Sequence, residues 1–109
     1  MANSFKTVTD TAVGTSPATI YTCPASTETT IIGLNVANIL TSTITVDVQL
    51  ENNDGDNVYI VKDAIVPVGS SLVAVGGDQK IVMNASDVLK VTASQASGAD
   101  VTMSILEIT

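Results

Sequence analysis

Apolar and polar residues alternate along most of this chain in short runs, and that alternation restricts it to β-structure. The clearest run is Ile44, Val46, Val48 and Leu50, separated by Thr45, Asp47 and Gln49. A period of two places the four apolar side chains on one face of a strand and the polar ones on the other. Ile32, Leu34 and Val36 form a similar stripe, as do Leu89, Val91 and Ala93, and then Val101, Met103 and Ile105. After Ile105 the apolar phase moves to Leu106 and Ile108, which reads as a β-bulge or as a strand end buried on both faces. Val and Ile suit a pleated, half-buried surface. Good helix formers are not arranged in helical stripes.

Turn signals separate the runs. They are Ser16-Pro17, Cys23-Pro24-Ala25-Ser26, the polar loop Asn52 to Asn57 with Asp54-Gly55 at its tip, and Pro67-Val68-Gly69-Ser70. Gly76-Gly77-Asp78, Asn84-Ala85-Ser86-Asp87 and Ser97-Gly98-Ala99-Asp100 follow. Turns recur about every 8–12 residues, the spacing of a sandwich or small barrel. Strands are expected near 4–13, 18–22, 29–39, 43–51, 57–63, 71–75, 79–83, 87–94 and 100–108. The expected fold is all-β: one antiparallel β-sandwich domain over residues 1–109, jelly-roll or immunoglobulin-like, of about eight strands. Residues 1–13 are expected as an N-terminal arm or an edge strand.

The side-chain inventory excludes most chemistry. The chain has no His, no Arg, no Trp, and one cysteine, Cys23. A catalytic site needs a tunable proton carrier, an activated nucleophile or a metal cage. No enzyme, cofactor or metal site is expected. One Cys forms no intrachain disulfide, and with no His to serve as base Cys23 reads as a small apolar filler. The loop Asn52 to Asn57 gathers carboxylates and amides. Aligning Gly55 with the EF-hand glycine puts Leu50 and Val61 where acidic ligands belong, so that match fails. Asp54 and Asp56 then read as a solvated hairpin turn. The triplet Asn84-Ala85-Ser86 reads as a turn, and Gly76-Gly77 lacks the lysine and following helix of a phosphate loop.

Four Lys against eleven acidic residues give a net charge of −7. That disfavours nucleic acid, which requires a cationic footprint, and anionic lipid. The N-terminal MANSFKTVTDTAV has no apolar run of signal-peptide type, so synthesis in the cytoplasm is expected. Thr- and Ser-rich exposed faces, such as Thr41-Ser42-Thr43 with Thr45, suit contact with another chain by edge addition. The first strand is the best candidate for that role. Asn3, Ser4, Phe5, Lys6, Thr7 and Thr9 are its candidate particle or oligomer contacts.

The stretch from Ile20 to Thr109 resembles small virion structural proteins of tailed bacteriophages. The resemblance lies in Ile20-Tyr21-Thr22-Cys23-Pro24-Ala25, Ile32 to Asn38, Val58 to Asp63, Val66 to Leu72, Gly77 to Val82 and Ser104 to Ile108. It implies a capsid decoration, or cement, protein on the outer capsid surface of a virion. Such a protein binds the major capsid protein in many copies, as a dimer or trimer, and stabilises the shell. The alternative is a neck, collar or tail subunit. A second alternative is a host-surface adhesion module, for which Phe5, Tyr21 and Tyr59 would have to supply an aromatic platform.

Overall fold

The computed structural model describes residues 2–109, and Met1 lies outside the described residues. Nine strands follow one another: β1 (Asn3–Val13), β2 (Ala18–Thr22), β3 (Glu28–Asn38), β4 (Ile44–Glu51), β5 (Asn57–Val66), β6 (Ser71–Val75), β7 (Ile81–Met83), β8 (Val88–Ala93) and β9 (Ala99–Ile108). Each expected strand is present. The turns close where Gly, Asn and Asp predicted them: Gly55 N–H donates to Asn52 O, Ser70 N–H to Pro67 O, Gln79 N–H to Gly76 O and Asp87 N–H to Asn84 O. Gly55, Gly69 and Gly77 take the positive φ that these turns require.

Pairing defines the winding. β1 pairs with β9, β2 with β8, β3 with β6 and β7, and β4 with β5, all antiparallel. The chain is therefore a long two-stranded ribbon folded over itself. β9 also joins β3, and β8 joins β4, giving sheets ordered β1-β9-β3-β6 (with β7 beside β3) and β2-β8-β4-β5. This is jelly-roll winding. An immunoglobulin-like sandwich would seat the second strand beside the first, whereas here they lie in different sheets.

The core between the sheets is aliphatic. Ile31, Leu34, Ile44, Met83, Leu89, Met103 and Ile105 are its largest fully buried side chains, and no aromatic joins them. One expected stripe is corrected in register, and one expected phase slip is absent. In β3 a bulge falls between Ile31 and Gly33 against β9. Ile31 therefore turns inward and Ile32 does not, and the buried stripe is Thr29, Ile31, Leu34, Val36 and Asn38. In β9 the phase never slips: Val101, Met103, Ile105 and Glu107 are all buried, and Leu106 and Ile108 are half-buried on the outer side. An acid occupies a core position, and that imitates a phase change.

Carboxylates fasten the irregular backbone. Ala12 and Asp63 both sit at left-handed φ, 54° and 52°, a conformation that costs a residue with a Cβ roughly 1 kcal/mol or more. Each lies at a bulge, between Asp10 and Val13 in β1 and opposite Val46–Val48 in β5. Asp100 Oδ1 accepts the Ala12 N–H at 3.0 Å, and Asp47 Oδ1 accepts the Asp63 N–H at 2.7 Å. These bonds satisfy the donors that a bulge releases from the ladder.

Candidate interaction face

β1 is the edge strand of its sheet, and its register against β9 is unbroken from Asn3 to Asp10. Directly opposed residues in an antiparallel pair share a face. Ser4, Lys6, Val8 and Asp10 oppose the buried Glu107, Ile105, Met103 and Val101, and so stand on the inner side. Asn3, Phe5, Thr7 and Thr9 stand on the outer side. The six candidate contacts thus divide: four share the outer face, and Ser4 and Lys6 turn away from it.

Strand order extends that outer face into rows. Phe5 opposes Leu106, Leu106 opposes Thr30, and Thr30 opposes Val82. The next row holds Thr7, Ser104 and Gly33, with the bulged Ile32 beside it. A third holds Thr9, Thr102, Asn35 and Val73. None of these residues ionises, in a chain with eleven acids and four lysines. Phe5, Val73 and Val82 are 75%, 65% and 58% exposed. The rows span roughly 15 by 20 Å at standard strand spacing, the scale of a functional surface patch. Glu28 and Asp100 flank them at the two ends.

The opposite sheet presents a different outer face. Lys90 pairs with Glu51 at 2.7 Å, Asp47 and Asp63 meet at the bulge, and Lys62 lies over the Tyr59 ring, 4.7 Å from its centre. The charge asymmetry between the faces emerges only from strand order, which decides which polar stripes share a sheet.

Behind β1 lies a buried polar chain. Glu107 Oε1 pairs with Lys6 Nζ at 2.7 Å, and its Oε2 accepts the Tyr21 hydroxyl. The Tyr21 oxygen meets Thr29 Oγ1 at 2.9 Å, and Thr29 Oγ1 meets Cys23 Sγ at 3.3 Å. Cys23 is buried as expected of a filler, and its thiol also reaches the carbonyls of Thr27 and Met83. Lys6, then Tyr21, hold the Glu107 carboxyl below the usual carboxylate range against the opposing effect of burial. Burial, then the bond to Glu107, pushes the Tyr21 phenol up.

This chain fastens the edge strand to the core, so its pH dependence has a definite sign. A depressed carboxyl pKa contributes stability that is present above the unfolded value and lost as pH falls through the folded one. Protection of the β1 amides against hydrogen exchange is therefore expected to fall below about pH 4. Glu107→Gln should show the same loosening at neutral pH and lose roughly 1–2 kcal/mol. Unchanged β1 protection in that variant would contradict the assignment.

The remaining candidates are used structurally. Asp87, buried, accepts the backbone N–H of Asn53 and of Asn84, and so ties the Asn52–Asn57 loop to the β7–β8 turn. Asn52 Oδ1 accepts the N–H groups of Asp54 and Asp56, closing the loop on itself. Among the described residues no group of three or more His, Cys, Asp or Glu is placed to hold a metal, and no helix is long and apolar enough to cross a membrane. Phe5, Tyr21 and Tyr59 occupy three separate surfaces and form no shared platform.

No protein-family model matches the chain, and no curated protein matches it in sequence. Solved structures do match in fold. A chain of the Bacillus endospore appendages, which form a family of disulfide-linked pili, superposes with a TM-score of 0.56 and 16% identity, over 99% of this chain and 87% of that one. A chain of the acidic stable capsid of Helicobacter pylori bacteriophage KHP30 superposes with a TM-score of 0.56 and 10% identity, over 100% of this chain and 94% of that one. At these identities the likeness is one of fold, and it covers the whole sandwich.

Proposed function

We propose that this protein is a non-enzymatic structural component of a virus particle: a capsid decoration protein that binds the major capsid protein from outside through the outer face of the β1-β9-β3-β6/β7 sheet. The observation that carries the reading is that face, exposed, partly apolar and free of ionised side chains across its three central rows. Desolvating a charge on docking is costly, whereas Thr, Ser and Asn hydroxyls and amides find new partners. The fold shared with a phage capsid chain supports a virion setting. Jelly rolls also serve lectins and cupins, so the site rather than the fold bears the weight. Many weak contacts repeated over a shell stabilise it collectively.

The fold shared with a pilus chain favours a second reading, a subunit stacked in a neck, collar or tail. Copy number separates the two. Quantitative mass spectrometry of purified particles is expected to find this chain in proportion to the major capsid protein. A single ring's worth of copies would move it to the neck or tail, and its absence from particles would end both readings.

A further inference from the structure

Four strand edges are open in this sandwich, and three are blunted. β2 is short and bulged at Ile20. β5 carries two register shifts and the left-handed Asp63. The far edge of the first sheet is split between β6 and β7, which pair with different parts of β3. Short, bulged or interrupted edges resist pairing with other chains. β1 has none of these devices from Asn3 to Asp10: it is regular, exposed along most of its length, free of Pro and carries Thr7, Val8 and Thr9 at its centre.

We infer that β1 pairs with β1 of a second copy of this chain, antiparallel, about a two-fold axis passing beside Val8. Symmetry fixes much of the geometry. Opposed residues in a two-fold antiparallel pair have numbers with a constant sum, and both must direct their backbone groups outward. The sum is therefore even, and a residue of β1 faces its own copy. Centring on Lys6 or on Asp10 would oppose like charges, which is destabilising. Centring on Val8 opposes Lys6 to Asp10 of the other copy twice, and Val8 to Val8. Thr7 then meets Thr9 on the outer side.

An inward Lys on an edge strand ordinarily prevents pairing, because a partner would bury its charge. Here Glu107 already neutralises Lys6, and the ammonium keeps donors for a second carboxylate. Asp10 gives Oδ1 to the Thr11 N–H and leaves its other oxygen open. The dimer would continue the uncharged outer face across the axis and double its extent. It does not depend on where, or whether, the chain binds a particle.

Sedimentation of the free, full-length chain tests the pairing. A dimer is expected at micromolar concentration. Asp10→Lys should weaken it by on the order of tenfold or more, by opposing Lys to Lys, while the circular dichroism spectrum stays that of the parent. Val8→Cys should oxidise to a covalent dimer, because opposed residues bring their Cα atoms within the range a disulfide spans; the buried Cys23 does not compete. A chain that stays monomeric at millimolar concentration overturns the inference. So does a dimer that Asp10→Lys leaves intact, or a Val8→Cys chain that oxidation leaves uncoupled. A monomer found on particles would remove the dimer and leave the decoration reading standing.

Discussion

Val46→Asp is expected to abolish folding, with no cooperative urea or thermal transition remaining. Val46 is 1% exposed at the centre of β4, between Ala93 of β8 and Ala64 of β5. Its side chain belongs to the aliphatic core between the sheets. An unpaired buried charge costs several kcal/mol even when the group escapes by taking up a proton. A domain of this size holds only about 5–15 kcal/mol in total. Thr45→Asp, one residue away and on the outer face, is the control, expected to change stability by less than about 1 kcal/mol. Circular dichroism and urea titration of the two variants check the register directly. A folded Val46→Asp beside an unfolded Thr45→Asp would invert it.

Phe5→Asp is expected to do the reverse: leave the fold intact and remove particle attachment. Phe5 is 75% exposed at the outer edge of the uncharged rows, opposite Leu106. Surface substitutions of this kind shift stability by only about 0.5 kcal/mol. On a docked face the change is severe. It deletes an aromatic anchor and introduces a carboxylate that must shed water on contact. Loss of such an anchor is worth about 2 kcal/mol or more, roughly thirtyfold in affinity. Co-sedimentation of the variant with stripped particles gives the affinity, and its melting temperature gives the stability. Unchanged attachment would take Phe5 out of the contact. Deleting residues 2–11 is a poorer test, because β1 is an integral strand and its removal would uncover the flank of β9.

Much of this fold is legible in the sequence because a half-buried sheet writes its faces at period two. Ile44, Val46 and Val48, and Val101 to Ile105, could be assigned residue by residue, whereas past the shift at Val48 Gln49 is buried and Leu50 only half-buried; the Asn, Asp, Gly and Pro clusters marked the turns between strands. The places that resist reading share a cause: the same residue types serve either face. Ile31 and Ile32 are identical in chemistry, so nothing local says which one a bulge turns inward. Glu107 looks like a surface acid, although it continues the phase of Val101, Met103 and Ile105. That phase was the available signal, and its partner Lys6 lies at the other end of the chain.

The uncharged face is a property of strand order. Asn3, Phe5, Thr7 and Thr9 were named as candidates together with Ser4 and Lys6, and only the register of β1 on β9 shows that the two groups stand on opposite faces. That Leu106, Thr30 and Val82 continue the row follows only once β1, β9, β3 and β7 are known to lie side by side. Alternating Thr reads as a solvated face wherever it occurs. The jelly-roll winding gathers three such stripes into one surface and leaves the lysines and most acids elsewhere.

Docking through the uncharged face of the first sheet is checked by cryo-electron microscopy of particles carrying the chain, at a resolution that traces strands. Copies are expected on the capsid lattice with Phe5, Leu106, Val73 and Val82 against the shell, and Lys62, Lys90 and Asp47 facing solvent. Copies seated on the β2-β8-β4-β5 sheet, with Phe5 in water, would contradict it.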